Sequence, residues 1–383
     1  MIEETDELLI KEISISRNLS ERTELLYRLV LRKYIKFNKM SLTEMLKEAE
    51  KEEDEQIPWK RRTIRKRLLN FRTYLYNNYM LSTAKMNFSK ILTVYKHFEI
   101  ELHELPTISE KQAEESIIRY NDLPTKEEIR EALKITTPMH RAIILFFSSS
   151  GCASAETLGL TISDFIKSVE EYYKSDDIYE IIHNLYGRDD VVPCFEIKRR
   201  KTGKVYYAFC SPEAFNEICS YLLTRKGLRN SDRLFKVTQL HLMQLFRDVN
   251  NTLGLGTVGK NNYVKFRAHM LRKFHASTLY NAGMTLDTVN DLQGKSKNKT
   301  DSSYFMEDPA KLKAKYMEHM GALTINLEVK HLDVKTVEFV RLENELVRKT
   351  EEVSNLTSRM DVLEKIVSDN LSDEEVKVID KYF

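Results

Sequence analysis

The run from Ala268 to Asn281 constrains this chain most: it contains neither Pro nor Gly, and Gly283 closes it. Such a run, ended by Gly, reads as a helix with a C-terminal stop. His269 and Arg272 lie three apart on it and so share one face. A second short helix fits Thr285 to Leu292, with Thr285 as its cap and Gly294 just past its end. Tyr304 follows the polar segment Lys295 to Ser303. A His beside an Arg, then Lys295, then a Tyr form a set able to act on a phosphodiester. The cations offer donors to non-bridging oxygens and the phenol offers an attacking oxygen. Each also has an ordinary reading: His269 as a helix histidine, Arg272 as an ion-pair partner, Lys295 as a loop charge, Tyr304 as one of nineteen tyrosines.

Taken in order and at their spacing, His269-Met270-Leu271-Arg272-Lys273, Gly294-Lys295-Ser296 and Tyr304 resemble the C-terminal boxes of the tyrosine recombinases, the phage integrase family, and among them the archaeal provirus-type integrases. Lys295 stands where that family usually has His or Trp. Further upstream, Gly151-Cys152-Ala153-Ser154-Ala155-Glu156-Thr157-Leu158 resembles the family's first box, with Gly151 and Glu156 in register. The Arg of that box is missing. One register puts Ala153 at the departed catalytic position, and an alternative spacing puts Ser154 there. The resemblance assigns that Arg to the scissile phosphate, and losing one positioned donor costs roughly 10²–10³ in rate. Three explanations stand open: another Arg substitutes, the residue was engineered away, or the protein is a weakened or inactive relative.

Between the boxes, Phe195 to Arg200 and Val205 to Phe209 alternate like two strands joined by Lys201-Thr202-Gly203-Lys204. A Lys at a hairpin tip is ordinarily solubilising. The resemblance makes Lys201 the general acid that protonates the leaving 5′ oxygen, with Lys204 in reserve, and makes Lys198, Arg199, Arg200, Lys204 and Lys273 contacts to DNA. Tyr304 is then the nucleophile, and Arg272, His269 and Lys295 hold the phosphoryl oxygens. No phosphate-cradling Gly loop and no acidic metal cluster stand out in the sequence, so no metal and no cofactor are expected.

The chain has 383 residues, 42% of them apolar, enough for two domains and an appendage. No run of eighteen apolar residues occurs, and the acidic start MIEETDELL lacks a signal region. Cys152, Cys194, Cys210 and Cys219 show no CxxC spacing, so reduced thiols are expected. These features point to a cytoplasmic protein, and the resemblance implies one that is nucleoid-associated. The expected fold is mainly α with a small antiparallel sheet. The resemblance implies a helical DNA core-binding domain over residues 1–105, a linker over 106–122 and a recombinase-like catalytic domain over 123–322, and a tail with a coiled-coil helix is expected over 323–383.

Residues 1–105 read as nearly all helical. Ser20 starts a helix through Lys36 whose apolar stripe is Leu25, Leu26, Leu29, Val30 and Tyr34. A second helix spans Leu42 to Lys51, with Glu52 to Glu55 as a loop, and two more fall within Phe71 to Phe98. The run Lys60 to Arg72 holds seven cations and no acid: Lys60, Arg61, Arg62, Arg65, Lys66, Arg67 and Arg72. Seven uncompensated charges repel one another, and an anionic partner relieves that. Such phosphate contacts bind strongly without reading sequence. Thr125 to Glu128 is a capping box that opens the second domain. Helices are expected from Glu127 to Leu133, Met139 to Ser149, Pro212 to Leu223, Gln239 to Leu253 and Ala310 to Met320, and residues 165–192 read as an acidic, tyrosine-rich insertion. The formal net charge is +2, with 9 Lys/Arg against 14 Asp/Glu in residues 324–383. There, Phe339, Leu342, Leu346, Lys349, Val353, Leu356, Met360, Leu363 and Val367 alternate by three and four, a coiled-coil seam broken at Lys349.

The reading that follows is a DNA strand transferase, a site-specific recombinase or integrase, acting on double-stranded DNA through a 3′-phosphotyrosine. It is expected to work as a homo-oligomer, a dimer on one site and a tetramer in synapsis, with no membrane partner. Two alternatives remain: a recombinase-fold protein that binds DNA but is catalytically impaired, and a type IB topoisomerase.

Overall fold

A computed structural model describes residues 4–107, 118–199, 203–259, 262–295, 308–325, 346 and 348–360. The chain divides into two compact units, Met1–Ile117 and Ile118–Phe383. The described residues are mainly α-helical, with two small antiparallel sheets.

The first unit is built from α1 (Glu4–Ser16), α2 (Glu21–Asn38), α3 (Leu42–Asp54), α4 (Thr63–Asn78) and α5 (Leu81–His97). Ser20 caps α2, and Ser41 closes a full capping box with Glu44 on α3. The core gathers Tyr34, Phe71 and Tyr95, with the hydroxyls of Tyr34 and Tyr95 3.0 Å apart. The buried face of α2 is Tyr27, Val30, Leu31 and Tyr34, whereas Leu25 and Leu29 are exposed, so the expected stripe is rotated by about one residue. The acidic stretch after Lys51 is helical through Asp54 rather than looped. Glu52 accepts from the Thr63 backbone N–H at 2.7 Å, and Glu53 pairs with Arg62 at 2.9 Å, so the carboxylates that would repel are neutralised.

The basic run lies on a short 3₁₀ turn (Trp59–Arg61) and on α4, which starts earlier than expected. It is not uniformly uncompensated. Arg62 is buried, donating to Glu53, Glu101 and the Ile57 carbonyl, and Arg67 pairs with Glu48 at 2.5 Å. Both are structural charges that tie α4 to α3. Lys60, Arg61 and Lys66 are exposed and Arg65 half-buried, none with a partner among the described residues.

In the second unit the organising element is α7 (Pro138–Ser150), with Pro138 in its first turn. Nine consecutive residues, Ala142 to Ser150, are buried. It runs through the middle of the core because α6 (Lys126–Lys134), α11 (Pro212–Leu223) and α13 (Ala268–Asn281) all pack on it. An apolar helix covered on all sides needs no polar face. Around this centre lie α8 (Ser154–Thr157), α9 (Ile162–Ser168), α10 (Ile178–Leu185), α12 (Gln239–Thr252), α14 (Leu286–Leu292) and α15 (Pro309–His319). Strands β1 (Cys194–Lys198) and β2 (Val205–Phe209) pair in the register Ile197↔Tyr206, and β3 (Thr257–Val258) pairs with β4 (Tyr263–Val264).

The stretch 165–192 is not a structureless insertion. Helix α10 buries Ile178, Tyr179, Ile181, Ile182 and Leu185 in the main core. Eight residues are too short for a decisive 3.6-residue pattern, and the acidic flanks mask it. Helix α15 is held by the Tyr316 hydroxyl, which donates to the Ser149 carbonyl on α7 at 2.9 Å. The four cysteines are free thiols, and no described helix is long and apolar enough to cross a membrane. Of the C-terminal seam, residues 346 and 348–360 are described; they are helical and exposed throughout, and the remainder of the seam lies outside the described residues.

Candidate active site

Gly151 ends α7 in the left-handed region (φ +63°), which turns the chain into the short helix α8. Its open side receives the buried ring of His275. A Cβ at residue 151 would lie 2.4 Å from His275 Nδ1, so glycine is required twice over. His275 therefore belongs to the core: its ring is fully buried, and burial together with the charge of Arg272 lowers its pKa to about 3.

Arg272 ties the three boxes together. One Nη donates to the Gly151 carbonyl at 2.5 Å and the other to the Gln293 carbonyl at 2.7 Å. The Gln293 amide returns a bond to the Arg272 carbonyl at 2.9 Å. The guanidinium is thus locked in place before any ligand arrives, with its remaining N–H groups uncommitted among the described residues.

His269 stands one turn earlier on the same helix, exposed. Partial desolvation and the charges of Lys273, Arg267 and Arg272 lower its pKa, so its imidazole is neutral at pH 7. Lys295 is exposed beyond Gly294, and desolvation with the charges of Arg272 and Arg199 lowers its pKa too. A site in which several cations mutually depress their affinity for protons gains from taking up an anion.

The hairpin is clamped against the second box. Arg199 donates to the Gly294 carbonyl at 2.6 Å, and Lys204 donates to the Lys295 carbonyl at 3.1 Å. Tyr206 lies under Gly294 so closely that a Cβ there would be 2.5 Å from the ring. The Tyr206 hydroxyl donates to Glu156 at 2.7 Å, and Glu156 also accepts the Ala153 N–H at 3.0 Å and faces Arg199 Nε at 3.7 Å. The Glu of the first box is therefore a buried anchor for the hairpin. Arg199 and Lys204, read from sequence as DNA contacts, each give an N–H to these internal bonds and face the carboxylates of Glu156 and Asp291 at 3.7 and 3.8 Å. Lys198 is exposed, and Lys273 half-buried with its pKa lowered by desolvation and the charge of Arg267.

Tyr304, Lys201, Arg200 and Ser296 lie outside the described residues. Their described neighbours are held: Arg199 and Lys204 flank Lys201, and Lys295 and α15 flank the stretch containing Tyr304. Ala153 and Ser154, the two candidate departed positions, are half-buried at the start of α8. Ser154 lines a cavity of about 380 Å³ with Arg267, His269, Arg247, Asn262 and Tyr263. Sequence reading missed Gln293, Tyr206 and Arg267. Arg267 had one legible signal: it occupies the N-cap of α13, where Ser, Thr, Asp or Asn is preferred, and makes no side-chain cap. Among the described residues no group of three His, Cys, Asp or Glu could hold a metal ion.

A helical first unit, a second unit wound around one buried helix, and a β-hairpin clamped between two helix termini define the fold of the tyrosine recombinases and integrases. No protein-family model matches the sequence, and no curated protein matches it either. Among solved structures, the chain is similar to a lambda integrase dimer bound to a COC′ core site, with a TM-score of 0.51 and 14% identity over 88% of this chain and 100% of that one. It is similar to XerH site-specific recombinase bound to difH substrate in a pre-cleavage complex (TM-score 0.50, 18% identity, 81% of this chain and 83% of that). The Tn1549 transposon integrase in complex with transposon right end DNA gives a TM-score of 0.50 at 13% identity, over 82% of this chain and 98% of that.

Proposed function

We propose that this protein is a site-specific DNA recombinase that cuts and rejoins duplex DNA through a phosphotyrosine at Tyr304. The observation that carries the reading is the locked guanidinium of Arg272. Its bonds to the carbonyls of Gly151 and Gln293 fix it between the end of α7 and the end of α14, beside His269 and Lys295. Fixed donors of this kind stabilise charge developing on a phosphoryl group because no reorganisation is needed at the moment of reaction. The similarity to recombinases crystallised on DNA supports the substrate class.

In the proposed reaction the Tyr304 oxygen attacks the scissile phosphorus while the bond to the 5′ oxygen breaks. The phenolic proton passes to the neutral imidazole of His269, and the leaving 5′ oxygen takes a proton from Lys201. Arg272 and Lys295 hold the non-bridging oxygens. A free 5′-hydroxyl attacking the phosphotyrosine reverses every step, so the bond energy is retained and nothing need be hydrolysed. Lys60, Arg61, Arg65 and Lys66 on the first unit, with Lys198 and Lys273 on the second, supply backbone phosphate contacts. Residues 346 and 348–360 join protomers: Leu346, Val353, Leu356 and Met360 are 57–70% exposed at heptad spacing, and a second copy of this helix would cover them.

The test is a pooled library of nicked duplexes incubated with the full chain. A covalent protein–DNA adduct that disappears in Tyr304→Phe is expected. Absence of any adduct favours a second reading, a protein that binds DNA without cleaving it, for which the lack of Arg at both residue 153 and residue 154 speaks. Relaxation of supercoiled plasmid with no site preference would point to a topoisomerase.

A further inference from the structure

We infer that Arg267 supplies the phosphate-gripping guanidinium that the first box lacks, reaching from the N-terminus of α13 into the cavity that Ser154 lines. The inference rests on the recombinase reading for the identity of its ligand, a phosphodiester of DNA.

Four described arginines stand near the boxes; Arg247 lines the same cavity but is exposed on α12, and hydrogen bonds separate the other three. Arg272 has given N–H groups to Gly151 and Gln293, and Arg199 is held by Gly294 and Glu156. Arg267 has given none. No described residue accepts a hydrogen bond from it or forms an ion pair with it, and its Nε is buried without a partner. An unpaired buried donor is costly, and because the side chain is only half-buried its outer N–H groups, without an acceptor among the described residues, can meet a ligand oxygen.

The side chain is nonetheless held in place. Its guanidinium stacks over the Tyr263 ring at 4.2 Å, and Tyr263 lines the same cavity as Ser154 and His269. A planar fork oriented by stacking is prepared to meet two phosphate oxygens at once. The surroundings are also cationic: Arg267 is close enough to lower the pKa of both His269 and Lys273. The first turn of α13 carries no side-chain cap, so the N–H groups of Ala268 and His269 have no acceptor among the described residues and add their partial charge to the cavity. An Arg side chain at residue 154 would enter this same space. The positive charge absent at residue 154 is thus present elsewhere in the lining of the same cavity.

Two measurements on the full chain test this. In the first, pooled duplexes carry a 5′-bridging phosphorothiolate, whose thiolate leaving group needs no proton, so defects of the general acid are bypassed. Arg267→Ala is expected to slow adduct formation by about 10²–10³. Arg267→Lys, which keeps the charge without the fork, should fall between it and the parent protein. Adding Ser154→Arg to Arg267→Ala should recover at least about tenfold of the rate, a rescue that misfolding would not show. If Tyr304→Phe abolishes the adduct while Arg267→Ala stays within about threefold of the parent, the recombinase reading stands and the inference is overturned. The second measurement needs no cleavage: inorganic phosphate is titrated against the full chain labelled with ¹³C-histidine. Phosphate should raise the pKa of His269 in the parent protein and not in Arg267→Ala. No phosphate response in the parent, or an equal response in the variant, overturns the inference whether or not the chain cleaves DNA.

Discussion

Replacing Gly151 with Ala probes the junction on which the site depends. Two costs add. A non-glycine residue held at φ +63° is strained by about 1–2 kcal/mol. The new Cβ would also fall 2.4 Å from His275 Nδ1 and 2.8 Å from its Cγ and Cε1. The ring is fully buried and lies 3.4 Å from the Gln293 amide nitrogen, so this overpacking adds about 1–3 kcal/mol. Loss of glycine's freedom in the unfolded chain returns about 0.4–1 kcal/mol. The net destabilisation is about 1–4.5 kcal/mol, at its upper end a large part of the ~5–15 kcal/mol that holds such folds. Urea unfolding of the full chain measures it as a lower midpoint at unchanged slope. The control is Gly254→Ala: Gly254 has φ +62° but nothing within 4 Å of its added Cβ, so it carries the backbone cost alone, about 1 kcal/mol. Equal losses in the two variants would refute the reasoning, because the close approach to His275 would then contribute nothing. Gly151→Ala should also slow adduct formation beyond its effect on stability, since the Gly151 carbonyl positions Arg272.

His275 gives a pH signature: its folded pKa, about 3, lies below the unfolded value. The unfolded chain therefore binds the extra proton between those values, and stability rises with pH at about 1.3 kcal/mol per unit through pH 5–6, levelling near neutrality. Urea midpoints across that range should show the slope in the parent protein, and the slope should shrink in His275→Asn; parallel profiles would refute the assignment. The basic run should split in two. Arg62→Ala, which leaves Glu53 without its cation, should destabilise by about 2–4 kcal/mol, whereas Lys60→Ala, Arg61→Ala and Lys66→Ala should each change stability by less than ~0.5 kcal/mol while reducing the salt dependence of DNA binding by about one ion. Light scattering should show a smaller assembly for Leu356→Lys than for the parent chain, and an unchanged mass would exclude this helix as the joint.

Local chemistry made much of this protein legible in advance. A breaker-free run bounded by Gly283 yielded α13, Ser20 and Thr125 cap the helices they precede, and the alternation around Lys201 marked a hairpin. These signals act within a few residues, where propensity and capping suffice. The boxes were likewise readable as an ordered set of residue types. Which cation is free and which is spent was decided elsewhere. Arg62, Arg67, Arg199 and Lys204 look no different from Lys60 or Lys198 in the sequence, yet each meets an acceptor brought from a distant segment. Arg267 is the converse, a side chain marked in the sequence only by its unusual place at a helix N-cap, which has no hydrogen-bond partner among the described residues and lines one cavity with Ser154. A charge is neutralised by what stands within a few ångströms of it, and only the folded chain settles what that is.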